Sequence, residues 1–239
     1  MVKTDPVSGP GEPGTRAPAS NLILRVASAV VMAPLALLAA YFGGWPFALF
    51  WAAAAVAVLW EWLALVKGPL WMVAGFGYAG IMLAAPAILR ADAGLGLLAI
   101  LLLFAIVWTT DILGYFAGRA FGGPKLWPAI SPKKTWSGAI AGTLGAAIVA
   151  VVVTHLFGAS NGGTVAAVAL LLSVVAQLGD LLESWIKRKF GAKDASHLIP
   201  GHGGLMDRLD GFWAAALIGC LIGVLRGGFD GAARGLLIW

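Results

Sequence analysis

Apolar runs long enough to cross a bilayer recur along nearly the whole chain, at residues 22–42, 45–66, 69–89, 93–118, 138–157, 164–186 and 205–225. A spanning helix needs roughly 17–25 such residues. Repeated runs of that length, punctuated by Gly, Pro and charge, read as membrane helices rather than as the core helices of a soluble fold. Composition agrees, because 60% of the 239 residues are hydrophobic and only 11% charged, far from the soluble average. The expected fold is therefore all-α: a polytopic integral membrane bundle of about seven transmembrane helices with a polar cavity facing the cytosol. Residues 1–20, rich in Pro, Gly, Ser and Thr, read as a disordered cytoplasmic tail rather than a cleaved leader. Residues 21–92 form N-terminal spans, 93–226 the region that carries chemistry, and 227–239 a segment too short to span, expected at the outer interface.

Charge placement sets the expected orientation. With the N-terminus inside, thirteen of the sixteen Lys and Arg residues fall on the cytoplasmic side, against Arg90, Arg226 and Arg234 outside; positive loops stay inside. The basic residues sit in short loops where they would meet anionic headgroups, so no nucleic-acid partner is expected despite the formal charge of +5. Cys220 is the sole cysteine, which excludes an internal disulfide and a cysteine metal cluster and leaves packing as its role. Trp45, Trp51, Trp60, Trp62 and Trp71 lie near proposed span ends, where amphipathic rings favour headgroup depth; Trp51 and Trp60 are equally suited to facing lipid. Two polar islands, 119–137 and 187–204, then face one compartment, each flanked by helices carrying acids below the interface.

The densest polar stretch, residues 177–211, reads QLGDLLESWIKRKFGAKDASHLIPGHGGLMDRLDG. On a helix, Asp180, Ser184 and Lys187 fall on one face at i, i+4 and i+7, with Glu183 adjacent. An ionised Asp at membrane depth costs at least a few kcal/mol unless paired or metal-bound, and so marks a functional site by default. An ion pair with Lys187 or Arg208 is the structural alternative for Asp180. The turn at residues 200–204, Pro-Gly-His-Gly-Gly, lets main-chain amides approach a phosphate. The helix after it carries Asp207 and Asp210 at i, i+3, and its N-terminus favours an anion. Asp180, Asp207 and Asp210 are oxygen donors suited to Mg²⁺, while Lys187, Arg188, Lys193 and Arg208 supply charge for a polyphosphate. The histidines are too few and badly spaced for zinc, His155 on the far side and His197 and His202 in one loop without a helical i, i+4 pairing; His202 could touch a phosphate or shuttle a proton.

The upstream island repeats the pattern. From Asp111 it reads DILGYFAGRAFGGPKLWPAISPKKTWSG: an intramembrane acid without an obvious local partner, a glycine-rich exit, then Ser131-Pro-Lys133-Lys134-Thr135. These hydroxyls and ammonium groups suit a nucleotide or lipid phosphate, and would also suit anionic headgroups.

Together these strings resemble the phosphatidate cytidylyltransferase family. Its signature stands here as Ser184, Lys187-Arg188, Lys193-Asp194, Pro200-Gly-His202-Gly203-Gly204 and Asp207-Arg208-Leu-Asp210, preceded by Asp111, Tyr115, Gly118, Gly122 and Ile130 to Thr135. The chain departs from the pattern at Ser137, where relatives commonly carry Glu or Gln, and at Gly114, where Ala is usual. The resemblance implies a homodimeric membrane enzyme, helical throughout, with a Mg²⁺-dependent site, a second cation being compatible with it. The reaction it implies joins CTP and phosphatidic acid, drawn from membrane lipid, into CDP-diacylglycerol and pyrophosphate. Carried over by residue, the implied metal ligands are Asp180 and Asp207, with Asp111 and Asp210 as further candidates. Lys187, Arg188, Arg208 and His202 join the catalytic set. Ser131, Lys133, Lys134, Thr135, Ser184, Lys193, Asp194, Gly203 and Gly204 contact substrate. A CTP-dependent polyprenol kinase, another lipid-phosphate cytidylyltransferase and a membrane transporter are the rival readings. No GxxxxGK[S/T] string supports a P-loop, and no inverted repeat supports alternating access.

Overall fold

The computed structural model describes residues 18–158, 161–196, 198–199 and 203–239, with side chains from residue 28 onward, residue 29 excepted. The tail at 1–17, His197 and His202 lie outside the described residues. Helices α1 (Pro18–Phe42), α2 (Gly44–Leu65), α3 (Pro69–Ala91), α4 (Gly96–Phe121), α5 (Trp136–Leu156), α6 (Gly162–Lys189) and α7 (Met206–Gly227) follow the seven apolar runs, and a short α8 (Ala232–Leu237) closes the chain. Six of them, α2 to α7, are long and apolar enough to cross a membrane; of α1 the described apolar part is Val30–Phe42. The protein is a polytopic, all-α membrane protein. One departure from a wholly helical chain is an antiparallel hairpin between α4 and α5, formed by β1 (Lys125–Trp127) and β2 (Ser131–Thr135).

Close packing between neighbours along the chain shapes the bundle. Helices α4 to α7 pack in sequence, and the α2–α3 pair docks on α7 mainly through α3. Lipid supplies no hydrophobic drive between helices, so association relies on van der Waals fit and small residues. Along α5 the glycines provide that fit: a Cβ on Gly138 would lie 2.4 Å from the Gly114 carbonyl oxygen, and one on Gly142 would lie 2.5 Å from that of Thr110. At Gly114 itself an added Cβ meets only the Gly138 oxygen at 3.6 Å, so the alanine usual in relatives would fit. Helices α6 and α7 cross in the same way, Gly179 lying against the Asp210 carbonyl.

An aromatic pillar ties the other helices in. Trp51 of α2 stacks on Phe212 of α7 at 4.9 Å, and Phe212 meets Phe104 of α4 at 5.1 Å. Trp51 is thus a core residue rather than an interfacial or lipid-facing one. Trp62 is also buried, its indole donating to the Trp71 carbonyl at 2.7 Å, whereas Trp45 and Trp60 are exposed. Position near a span end does not distinguish these cases; what faces each ring does, Phe212 for Trp51 and Gly75 for Trp62.

Basic residues expected on the outer side are used structurally. Arg90 donates to the carbonyls of Ala40 and Tyr41, at 2.7 and 3.1 Å, and so caps the C-terminus of α1. Asp92 accepts from the amides of Gly94 and Leu95 at 2.9 and 3.0 Å, fixing the turn into α4. Arg226 donates to the Gly235 carbonyl and stacks on Trp239. The residues after 227 therefore do more than lie at an interface: Ala232, Ala233, Leu236 and Leu237 are buried against the bundle, while Phe229 before them and Ile238 and Trp239 after them are exposed.

Replacing Gly142 by Ala forces a methyl against the α4 backbone and should cost about 1–3 kcal/mol, the usual range for overpacking. Gly80→Ala, whose methyl meets nothing within 4 Å, should be neutral or slightly stabilising. Thermal unfolding of the two variants in detergent checks the contrast.

Candidate active site

The polar islands converge at one end of the bundle, where α4, α6 and α2 end and α5, α7 and α3 begin. Gly122 and Gly123 terminate α4 with φ of 62° and 98°, a left-handed conformation that glycine adopts without strain. They turn the chain into the β hairpin, whose strand period of two sends adjacent lysines to opposite faces. Lys133 is exposed, whereas Lys134 turns inward and forms an ion pair with Asp180 of α6. Thr135 ends the strand as the N-cap of α5: its buried hydroxyl accepts from the Gly138 amide at 3.2 Å and lies 3.0 Å from the Ser137 hydroxyl. Ser137 in turn donates to the Gly122 carbonyl. In place of a longer polar side chain, Ser137 thus ties the hairpin to the end of α4.

On α6 the polar residues split into two groups. Ser173, Gln177, Asp180 and Ser184 form a stripe toward α4 and α5. Ser173 bonds Thr110 at 2.7 Å, Gln177 donates to Thr143 at 2.8 Å, and Ser184 donates to Asp180 at 3.4 Å. Asp180 also lies within electrostatic reach of Asp111 on α4 and Asp210 on α7, and Lys134 and Arg208 oppose this negative charge. Asp111 is therefore near charges supplied by α6, α7 and the β hairpin. The expected single stripe through Lys187 is replaced by a second group: Lys187, only 7% exposed, donates to Glu183 at 2.9 Å and pairs with Asp207 across to α7. The structural pairing considered for Asp180, with Lys187 or Arg208, gives way to Lys134.

Asp207 organises the loop before α7. Its second oxygen accepts from the amides of Ala195 and Gly204, at 3.0 and 2.9 Å, while the first holds Lys187. Ile199 and Gly203 pair as an antiparallel bridge. Arg188 donates to the Ala192 carbonyl at 2.9 Å, and Lys193, Asp194 and Arg208 are exposed at the same end. Among the described residues no three His, Cys, Asp or Glu groups form a ready-made metal cluster.

One central residue was missed in the sequence. Glu61 of α2 is fully buried and accepts three hydrogen bonds at the start of α7: from Ser196 Oγ at 2.6 Å, the Leu205 amide at 2.8 Å and the Met206 amide at 2.7 Å. A carboxylate there satisfies the unpaired first amides and faces the positive end of the helix dipole. It also explains Gly204, where any Cβ would lie 2.9 Å from both Glu61 oxygens. The available signal was a lone acid in an apolar run, Trp60-Glu61-Trp62, an expensive placement that marks a role.

The cytidylyltransferase family matches residues 68–225, which contain every charged residue of the site except Glu61. A phosphatidate cytidylyltransferase of Brucella abortus (strain 9-941) is 40% identical, the alignment covering 86% of this chain and 94% of the relative. That of Rickettsia typhi is 34% identical over 80% of this chain and 86% of the relative. That of Rickettsia conorii reaches 43% over 50% and 55%.

Glu61→Ala removes the acceptor from two buried amides and a hydroxyl, and hydrogen bonds to a charged group contribute about 1.5–3 kcal/mol each. The variant should unfold several degrees lower than wild type, and Glu61→Gln, which keeps one accepting oxygen, should fall between. Thermal unfolding in detergent measures both. The extent of the family match and the agreement over most of the length of two relatives place this chain in the cytidylyltransferase family.

Proposed function

We propose that the chain transfers the cytidylyl group of CTP to phosphatidic acid, giving CDP-diacylglycerol and pyrophosphate. The observation that carries this reading is the set of three carboxylates within electrostatic reach of one another, Asp111, Asp180 and Asp210, opposed by Lys134 and Arg208 at the end of a membrane bundle, in a chain 40% identical to a phosphatidate cytidylyltransferase. Both reactants are anionic, so neutralising charge and aligning the phosphatidate oxygen with the α-phosphorus should dominate catalysis. No protein nucleophile is needed. Lys134, paired with Asp180, and Arg208 oppose the charge of the carboxylates, and exposed Lys133, Lys193 and Arg188 extend positive charge toward entering phosphates. Ser131, Ser184 and Thr135 contribute hydroxyls around them, Thr135 chiefly by capping α5.

The donor set suits Mg²⁺, which is typically held by one or two carboxylates with substrate phosphates completing the shell. Asp180 with Asp111 or Asp210 provides those oxygens. At Asp207 a cation would have to take the place of Lys187 on the first oxygen, because the second is committed to two amides. When bound, the metal would neutralise and orient phosphate oxygens. The charge bias of the loops supports an active site and N-terminus on the cytoplasmic side of a bacterial inner membrane, and the family resemblance supports a homodimer.

Asp180→Asn and Asp207→Asn should each lower CDP-diacylglycerol formation from CTP and phosphatidate in proteoliposomes by about 100-fold or more, the scale of losing one electrostatic stabiliser. Near-normal turnover by both would overturn the carboxylate assignment. Release of CDP instead of pyrophosphate would replace the transferase reading by a lipid kinase.

A further inference from the structure

Asp180 and Asp207 each hold a lysine ammonium, and the two lysines differ in their surroundings. Lys134 stands on the β hairpin with 28% of its side chain exposed, so water or an entering phosphate can take its ammonium when Asp180 gives it up. Lys187 has no such exit. It projects from the last turn of α6 toward α7 and is buried. An ammonium confined there is strongly unfavourable unless a counter-charge stays beside it.

Glu183 is that counter-charge. It precedes Lys187 by four residues on α6, the order in which an acid and a base attract best along a helix. It is itself buried and accepts from Lys187 Nζ at 2.9 Å. Its other oxygen, Oε2, has no hydrogen-bond partner among the described residues and almost no exposed surface. A buried carboxylate oxygen left in that way is costly, and the donor able to reach it is internal. An ammonium carries three protons, of which Lys187 gives one to Glu183 Oε1 and one to Asp207 Oδ1. Freed from Asp207, the same ammonium can serve both oxygens of Glu183. The charges agree: Glu183, Lys187 and Asp207 together carry one excess negative charge. A cation arriving at Asp207 meets that charge and leaves behind a neutral pair.

We propose that Glu183 is a positioning residue that receives Lys187 when Asp207 exchanges the ammonium for a divalent cation, a role that rests on the reading of Asp207 as a metal ligand. Lys187 is then a placeholder on Asp207, and Glu183 keeps it from becoming a stranded buried charge. The second Asp207 oxygen stays on the Ala195 and Gly204 amides, so the exchange needs no movement of the loop before α7.

The test titrates the detergent-solubilised full chain with Mn²⁺, a paramagnetic divalent probe, read by electron paramagnetic resonance without nucleotide or lipid. Glu183→Gln should weaken the binding that Asp207→Asn removes by about tenfold, a coupling usual for residues in contact. In a Lys187→Met background, with no ammonium to house, the same change should alter affinity by no more than about twofold, as for independent sites. An equal loss in both backgrounds would reduce Glu183 to a nearby negative charge and overturn the proposal, as would unchanged binding in Glu183→Gln. Binding by Asp207→Asn equal to that of wild type would instead remove Asp207 from the metal ligands, and the exchange with it. Anomalous diffraction from wild-type crystals soaked in Mn²⁺ checks the geometry without any substitution. Manganese at Asp207 with Lys187 held by Glu183 alone is expected; Lys187 still on Asp207 beside the metal overturns the exchange.

Discussion

The arrangement of the acidic end of this bundle depends on Glu61. Its carboxylate reaches from α2 to the first amides of α7 and to Ser196 in the preceding loop, so one side chain fixes where α7 begins and how the loop before it lies. Asp207 and Asp210 are in the first turns of that helix, and their direction follows from its start. The interaction is strong for a physical reason: a helix N-terminus leaves four amides unpaired, and in a membrane protein no bulk water is at hand to satisfy them. Gly204 completes the arrangement by leaving space for the carboxylate.

Holding several carboxylates at one place in such surroundings requires opposing cations, and the fold brings these from distant parts of the chain. Lys134 comes from the β hairpin and Arg208 from α7, while Lys187 bridges α6 to Asp207. Removing one partner from a buried pair leaves an uncompensated charge, which is costly. The hairpin is thus more than a connection, since its alternation selects Lys134 over Lys133 for the inward position. The same negative field would hold a divalent cation and, through it, the phosphates of a nucleotide, as proposed above.

Helix α6 divides the molecule functionally. One face carries the hydroxyl, amide and carboxylate stripe toward α4 and α5; the other carries Glu183 among indole rings toward α3 and α7. The faces are linked through Lys187, whose single ammonium pairs with both Glu183 and Asp207.

Apolar run length determined the all-α membrane bundle and, to within a few residues, the seven helix positions, because bilayer thickness fixes how long a spanning segment must be. The carboxylates, lysines and glycine turn were legible as a candidate site because charge is rare and costly in such a chain. Pairing was not legible. Lys134 rather than Lys187 meets Asp180, Glu61 clamps a helix some 145 residues further on, and Trp51 is core rather than interfacial. The fate of residues 227–239 was equally hidden. Each depends on which helix faces which, set by close contacts between small residues and by long-range hydrogen bonds, and a single chain's spacing carries no record of those until the tertiary structure assembles them.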